Sequence, residues 1–162
     1  MYFNNPFNKK IKGQNNKNYS TAQLPYILDY GPEPFAVNLQ RAVLGNTNFR
    51  TTLWTGNNLQ ITLMNIEPWD DIGVEMHPDH DQFLYIEDGM CIVRMGNSSE
   101  VFDFQATLYK NYAVVIPAGI WHNIYNIEGT PIKLFSIYAP PAHPYGTIHE
   151  TKEDAEEEET HY

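Results

Sequence analysis

Two short stretches of the sequence place imidazole and carboxylate groups beside turn residues. The first, residues 75–82, holds Glu75 and His77, and the second, residues 117–126, holds His122. Burying polar groups without compensation is costly, so such groups on apolar strands indicate a site. Two imidazoles and one carboxylate form the ligand set of many non-haem iron centres and suit divalent metals. The pattern therefore predicts a metal site divided between the two stretches.

Strand geometry should bring the groups of the first stretch together. Glu75 and His77 are two positions apart, so in a β-strand both side chains point to the same face. A hairpin bend over 78–81 would return the chain at Gln82, which is either a weak neutral ligand through its amide oxygen or a hydrogen-bonding residue of the pocket. His80 lies in the bend and is an alternative ligand if the register shifts. The predicted metal ligands are Glu75, His77, Gln82 and His122.

The body of the chain has the pattern of an all-β protein. Runs rich in β-branched and aromatic residues alternate with turn residues. These runs predict strands at 49–54, 59–66, 72–77, 82–86, 90–95, 101–109, 113–116, 121–125 and 132–139. Two short helices are predicted before them, at 21–30 and 37–43. Short strands with frequent turns indicate a sandwich or a barrel.

Residues on the same strand faces as the ligands should line a pocket. In the strand after the bend, Gln82 shares its face with Leu84 and Ile86. Other strands add polar or aromatic candidates, so the predicted substrate pocket contains Gln60, Thr62, Asn126 and Tyr138. His143 and His149 follow a double proline and are expected at the surface, with a lid over the end of the barrel as the alternative.

The two stretches resemble the two sequence motifs of the cupin family. The second motif, G-x5-P-x-G-x2-H-x3-N, is matched, with Asn111 in place of its first glycine, by Pro117, Gly119, His122 and Asn126. The first motif, G-x5-H-x-H-x3-4-E-x6-G, aligns backwards from Gly89. Gln82 then stands at the glutamate of the motif and His77 at its second histidine. Glu75 stands at its first histidine, and Trp69 at its first glycine. The resemblance covers residues 59–139.

The resemblance implies an all-β double-stranded β-helix, a jelly-roll-like barrel with a divalent metal inside. The family usually supplies three histidines and one glutamate. Here the carboxylate has moved to Glu75, and Gln82 stands where a carboxylate is expected. Residues 48–56, 59–64 and 137–152 are also similar to bacterial single-domain cupins described as phosphomannose-isomerase-like. Kinship of fold does not establish a reaction.

The predicted function is that of a metal-dependent enzyme on a small molecule. It would be an oxygenase, or an isomerase or lyase acting on a sugar or organic acid, with Fe, Mn, Ni or Zn as the metal. Glu75 is a candidate general base if it leaves the metal. A non-catalytic cupin that binds a small ligand, or a structural barrel, is the alternative. The sequence contains no nucleophile elbow or phosphate loop. A homodimer is expected, because many cupins form one.

Charge divides the chain into three parts. Residues 1–20 carry four lysines and no acid, residues 150–162 carry seven acids against one lysine, and residues 21–149 carry thirteen acids and five bases. A negative body repels phosphate backbones, so nucleic acid is not an expected partner. We predict a flexible basic arm, one barrel domain and an acidic tail. The tail would form a short frayed helix with Thr151 and Asp154 at its start.

Cysteine usage and hydropathy limit the location of the protein. The single cysteine, Cys91, lies in the apolar run 90–93 and is expected to be buried. Residues 1–20 lack the apolar segment of a signal peptide. No run of the sequence approaches the ~18–20 apolar residues of a membrane helix. The sequence therefore predicts a cytoplasmic protein with no membrane partner.

Overall fold

The computed structural model describes residues 29–159. Within them the chain forms two helices and nine strands. In chain order these are α1 (Leu39–Gly45), β1 (Arg50–Thr55), β2 (Gln60–Ile66), β3 (Asp81–Asp88), β4 (Met90–Gly96), β5 (Phe104–Tyr109), β6 (Ala113–Ile116), β7 (Trp121–Asn126), β8 (Ile132–Ala139), β9 (Ile148–His149) and α2 (Lys152–Glu159). Eight of the nine predicted strands are confirmed, and β9 was not predicted.

The strands form two antiparallel sheets that face each other. One sheet has the order β6-β3-β8-β2-β1-β9, and the other has the order β5-β4-β7. Alternation along each strand sends one set of side chains between the sheets. In β3 this inner set is Gln82, Leu84 and Ile86, as strand parity predicted. The apolar core lies between the sheets and includes Met64, Ile66, Val93, Ile124 and Leu134.

Helix α1 covers the outer face of the larger sheet. Val43 is fully buried there, in a second apolar cluster with Leu53, Leu63 and Phe135. Asn38 caps the helix, because its side-chain oxygen accepts a hydrogen bond from the backbone of Arg41 at 2.9 Å. The helix predicted at 37–43 is thus found about half a turn later. Of the helix predicted at 21–30, only residues 29 and 30 are described, and they are not helical.

The segment before β3 differs from its prediction. Residues 72–77 are not a ladder strand, and they do not form a hairpin with β3. Instead two isolated antiparallel bridges join the segment to β7, one from Asp71 to Tyr125 and one from Glu75 to His122. Gly73 has a left-handed φ of 86° between the two bridges, which breaks the extended conformation. The segment therefore extends the smaller sheet before it crosses to the larger one.

Four turns around the barrel share one backbone feature. Gly89, Gly119, Trp69 and Asn111 have φ values of 94°, 81°, 64° and 71°. The first two are glycines of the cupin motifs, and the other two stand where those motifs have glycine. Glycine adopts positive φ readily, whereas other residues do so at a cost. The backbone therefore supports the motif alignment, including at the two positions where the residue type has changed.

The end of the described chain folds back against the barrel. Helix α2 begins with a reciprocal cap, in which the backbone of Thr151 donates to Asp154 and the backbone of Asp154 donates to the Thr151 hydroxyl. Lys152 pairs with Asp70 and Asp71, and Ala155 is buried in the core. The helix is therefore attached by both charge and apolar contact. Neither helix of the described chain is long and apolar enough to cross a membrane.

Candidate metal centre

Glu75 and His122 form the centre of the site. Their backbones are paired, since the Glu75 amide donates to the His122 carbonyl at 3.0 Å and the His122 amide donates to the Glu75 carbonyl at 2.9 Å. Residues paired directly across an antiparallel bridge place their side chains on the same face. Oε1 of Glu75 accordingly lies 3.2 Å from Nε2 of His122.

His77 completes a group of three possible metal ligands. Its Nε2 atom lies 3.5 Å from Oε1 of Glu75, and its backbone carbonyl accepts a hydrogen bond from Gly119 at 2.7 Å. One ligand atom from each of Glu75, His77 and His122 lies within 4.8 Å of the others. Atoms 2.0–2.2 Å from one ion have separations of this order. Two histidines and the carboxylate predicted from sequence are therefore brought together.

The hydrogen bonds of His122 fit a metal ligand. Its Nδ1 atom lies 3.0 Å from the carbonyl oxygen of Ile120. A carbonyl only accepts, so Nδ1 donates to it, and Nε2 faces a carboxylate oxygen, which is also an acceptor. A cation between the two atoms satisfies both, and a second hydrogen bond that fixes the ring is the usual arrangement around metal-bound histidine. His77 fits as well, because its buried Nε2 has no hydrogen-bond partner among the described residues.

Arg50 is a further charged residue of the site. It is 2% exposed, and its Nη2 atom lies 4.0 Å from Oε2 of Glu75. Burial alone would raise the pKa of Glu75. Contacts of the carboxylate with His122 and His77, together with the charge of Arg50, outweigh burial and hold this pKa far below its ordinary value. Glu75 is therefore a carboxylate at neutral pH, as metal binding requires.

A chain of contacts connects Arg50 to the C-terminal helix. Arg50 in β1 is the register partner of His149 in β9, and its Nη1 atom lies 3.4 Å from Nδ1 of His149. The other ring nitrogen of His149 contacts Glu158 of α2. Guanidinium groups only donate, so Nδ1 accepts and Nε2 donates to the carboxylate. His149 was expected at the surface and is 6% exposed, because the unpredicted strand β9 brings it under α2.

Gln82 lies beside the group of three in a defined orientation. Its amide nitrogen donates to Ser136 Oγ at 3.0 Å and to Tyr138 Oη at 3.1 Å. Its amide oxygen is buried and has no partner among the described residues. Tyr138 is fully buried, which raises the pKa of its hydroxyl to about 12. The phenol is therefore neutral and able to donate or accept a hydrogen bond.

Two further histidines, His80 and His143, contact the ring of Tyr138 beside the site. The ring of His80 stacks on His77 with a centroid separation of 4.5 Å, and it meets the edge of Tyr138 at 5.8 Å. His143 meets Tyr138 from another side at 5.2 Å. His143 was expected at the surface and is half-buried, with its Nε2 atom fully buried. Burial and the nearby charge of Arg50 lower the pKa of His143 to about 2, so its ring is neutral.

The remaining predicted pocket residues have distinct positions. Gln60 is fully buried and clamps the backbone of His143, accepting from its amide at 2.9 Å and donating to its carbonyl at 2.8 Å. Thr62 is also fully buried, and its hydroxyl has no partner among the described residues. Asn126 instead donates to the backbone carbonyls of Ile66, Glu67 and Thr130. It holds a loop, and its recorded hydrogen bonds do not reach Glu75, His77 or His122.

The fold and the site together define the class of protein. Two facing antiparallel sheets enclose a group of histidines and a carboxylate, and residues 62–138 match the cupin domain family. The chain belongs to the cupin family. Its fold is the double-stranded β-helix that the motifs predicted.

Three relatives show how this chain compares with known proteins. The uncharacterized protein YrkC of Bacillus subtilis is 56% identical over 129 residues, which are 80% of this chain and 69% of YrkC. The uncharacterized protein L612 of Acanthamoeba polyphaga mimivirus is 38% identical over 115 residues, 70% of each chain. The crystal structure of BH2720 from Bacillus halodurans is 50% identical, with a TM-score of 0.80, and covers 81% of this chain and 99% of that one.

Proposed function

We propose that the protein is a metal-dependent cupin enzyme acting on a small molecule. Glu75, His77 and His122 would hold one divalent ion, with Fe, Mn, Ni and Zn as the candidates for this mixed set of nitrogen and oxygen ligands. The observation that carries the proposal is the position of Glu75 Oε1, which lies 3.2 Å and 3.5 Å from two imidazole nitrogens. The wild-type protein should therefore bind about one equivalent of metal.

The residues around the ion would keep the site polar and fixed. His122, His77 and Arg50 together keep Glu75 ionised, and the backbone of Ile120 fixes the ring of His122. Gln82 donates to Tyr138, whose ring lies 5.7 Å from the ring of His77. When bound, a divalent ion can polarise a carbonyl group, activate water or bind dioxygen. Three ligands leave coordination positions free for a substrate, which is the arrangement expected of a catalytic centre.

Metal analysis and assays under two atmospheres separate the possible activities. Purified protein would be analysed for metal and then assayed on sugars and organic acids in air and under nitrogen. Iron with oxygen consumption supports an oxygenase. Turnover under nitrogen with manganese, nickel or zinc supports an isomerase or lyase. Ligand-induced stabilisation without product supports a binding protein instead, and the absence of any bound metal contradicts the proposal.

The proposal also includes a homodimer in the cytoplasm. The outer surface offers exposed apolar residues around the edge strand β6, including Tyr112 and Val115, which are 52% and 61% exposed. Unpaired edge strands with apolar neighbours favour association. Light scattering coupled to size-exclusion chromatography would give the mass in solution, and a monomer mass at all concentrations would contradict the dimer.

A further inference from the structure

Gln82 offers an acceptor beside the candidate metal ligands. Because both protons of its amide nitrogen are directed to Ser136 and Tyr138, the amide oxygen faces the other way. Gln82 is 1% exposed, and this oxygen has no partner among the described residues. Leaving a buried acceptor unpaired is unfavourable. The position of this oxygen is therefore suited to a group that donates a hydrogen bond.

His80 offers a second acceptor, on a ring that stacks against His77. Its Nδ1 atom lies 2.9 Å from a carboxylate oxygen of Asp79. A carboxylate accepts, so Nδ1 carries the proton and Nε2 of the neutral ring holds a lone pair. Nε2 is buried without a partner among the described residues. His80 and Gln82 both contact Tyr138, one through the ring and the other through the hydroxyl.

The charges at the site favour an anion. The guanidinium of Arg50 balances the single negative charge of Glu75, which lies 4.0 Å away. A divalent ion held by the three ligands would leave a net charge of about +2, concentrated in a buried site of low dielectric constant. A ligand that carries one carboxylate and also donates hydrogen bonds would satisfy both the charge and the two acceptors.

We propose that the site takes a small hydroxylated carboxylate. Its carboxylate group offsets part of the positive charge of the metal and Arg50. Its hydroxyl groups donate hydrogen bonds to Oε1 of Gln82 and to Nε2 of His80. Gln82 and His80 are then the specificity-determining residues, and Gln82 does not bind the metal. This inference rests on the proposed function, because the metal supplies most of the positive charge.

A series of three-carbon acids tests the hydroxyl contacts. Propionate, lactate and glycerate share a carboxylate and differ in having zero, one and two hydroxyl groups. Their dissociation constants would be measured by titration calorimetry on the zinc-loaded, full-length protein. We expect each hydroxyl to tighten binding by about tenfold, because it pairs a buried acceptor. Equal dissociation constants for the three acids would overturn the inference.

Variants then assign the contacts to residues. Gln82→Leu removes one acceptor, and His80→Phe removes the other while keeping a ring to stack on His77. Each should weaken glycerate binding by about tenfold, leave propionate binding unchanged and retain the metal. The matched control is Gln105→Leu, at an exposed position of β5, and it should change none of these values.

Using two variants guards against the misfolding of one of them. Gln82 donates a hydrogen bond to Tyr138, whereas His80 touches Tyr138 only through its ring, so the two substitutions disturb Tyr138 in different ways. If either variant loses its metal, that residue is a ligand of the ion and its assignment here is wrong. If both retain metal and keep the full preference for glycerate, the inference is overturned.

Failure of the proposed function gives a separate result. Metal stoichiometry is measured on the same samples, so a wild-type protein without metal contradicts the proposed function directly. The acid series on that metal-free protein still examines Gln82 and His80, since neither belongs to the group of three ligands. Retained metal with no hydroxyl preference contradicts this inference alone.

Discussion

Glu75 and His122 are paired twice, once through their backbones and once through their side chains. Two backbone hydrogen bonds of 3.0 and 2.9 Å join them across the smaller sheet, and their side-chain atoms Oε1 and Nε2 are 3.2 Å apart. The backbone pair fixes the spacing of an imidazole nitrogen and a carboxylate oxygen, which are two ligand atoms of the candidate metal site. Folding therefore prepares a cation site before any ion is bound.

Loss of either histidine ligand should abolish tight metal binding. Mutation of groups that only support a ligand weakens metal affinity by about 10–100-fold, so His77→Ala or His122→Ala should weaken zinc binding by at least about 100-fold. Competition with a chromophoric chelator measures the affinity. His143→Ala is the control, because this half-buried histidine is outside the group of three and should leave zinc affinity unchanged. Normal stoichiometry in either ligand variant would refute the assignment.

Glu158 should stabilise the protein by holding His149 in the tautomer that accepts from Arg50. Glu158→Ala removes the acceptor for Nε2, and we expect it to lower the free energy of unfolding by about 1 kcal/mol. Glu158→Gln should retain most of the stability, since an amide oxygen also accepts. Urea unfolding of the metal-free protein measures the difference.

The control for Glu158 is another acid of the same helix. Glu156→Gln removes one negative charge at an exposed position and should have little effect on stability. If Glu158→Gln destabilised the protein as much as Glu158→Ala, charge rather than hydrogen bonding would be responsible. That result would contradict the contact chain from α2 to Arg50.

Protonation of Asp71 should make the protein less stable in acid. Burial opposes ionisation of Asp71, but Lys152 and Asn123 outweigh burial and lower its pKa. A carboxylate with a lowered folded-state pKa stabilises above its unfolded value of about 3.9, and this stability is lost as the pH falls through the folded-state pKa. Asp71→Asn should therefore cost about 1 kcal/mol at pH 7 and progressively less below pH ~4. Urea unfolding of both proteins at each pH tests this, and a difference that is constant with pH would contradict it.

Trp69 should be replaceable by glycine with a gain in stability. It is 73% exposed with a φ of 64°, so it loses little packing and carries backbone strain. Strain relief of about 1–2 kcal/mol, less the entropy cost of glycine of about 0.5–1 kcal/mol, leaves a net gain of about 0.7 kcal/mol for Trp69→Gly at the middle of these ranges.

Gly119→Ala is the reciprocal change. Its φ is 81° and an added Cβ meets no atom within 4 Å, so strain alone should destabilise the protein by about 1 kcal/mol. Thermal unfolding of both variants gives the two signs. A destabilising Trp69→Gly would show that the exposed indole ring contributes more than its backbone costs.

Local patterns predicted most of the fold. The alternation of buried and exposed residues placed Gln82, Leu84 and Ile86 on the inner face, and turn residues marked the ends of eight strands. The motif spacing also placed Trp69 and Asn111 in turns that favour glycine, and both have positive φ. These features depend on neighbours in sequence, so a sequence can reveal them.

Long-range pairing accounts for what the sequence did not predict. Residues 72–77 were assigned to a strand in a hairpin, but their partner is β7, about 47 residues away in the Glu75–His122 bridge. Strand β9 has only two residues, too few for a periodic pattern, yet it brings His149 to Arg50. Burial of Arg50 and His143 depends in the same way on contacts between distant segments.

The central claim is that Glu75, His77 and His122 bind one divalent ion. Anomalous diffraction from crystals of the zinc-loaded protein, recorded on both sides of the zinc edge, tests it most directly. The account predicts one strong peak about 2.0–2.2 Å from Nε2 of His77, Nε2 of His122 and an oxygen of Glu75. A zinc-loaded crystal with no peak between these three side chains, or with its peak at other residues, would contradict the account.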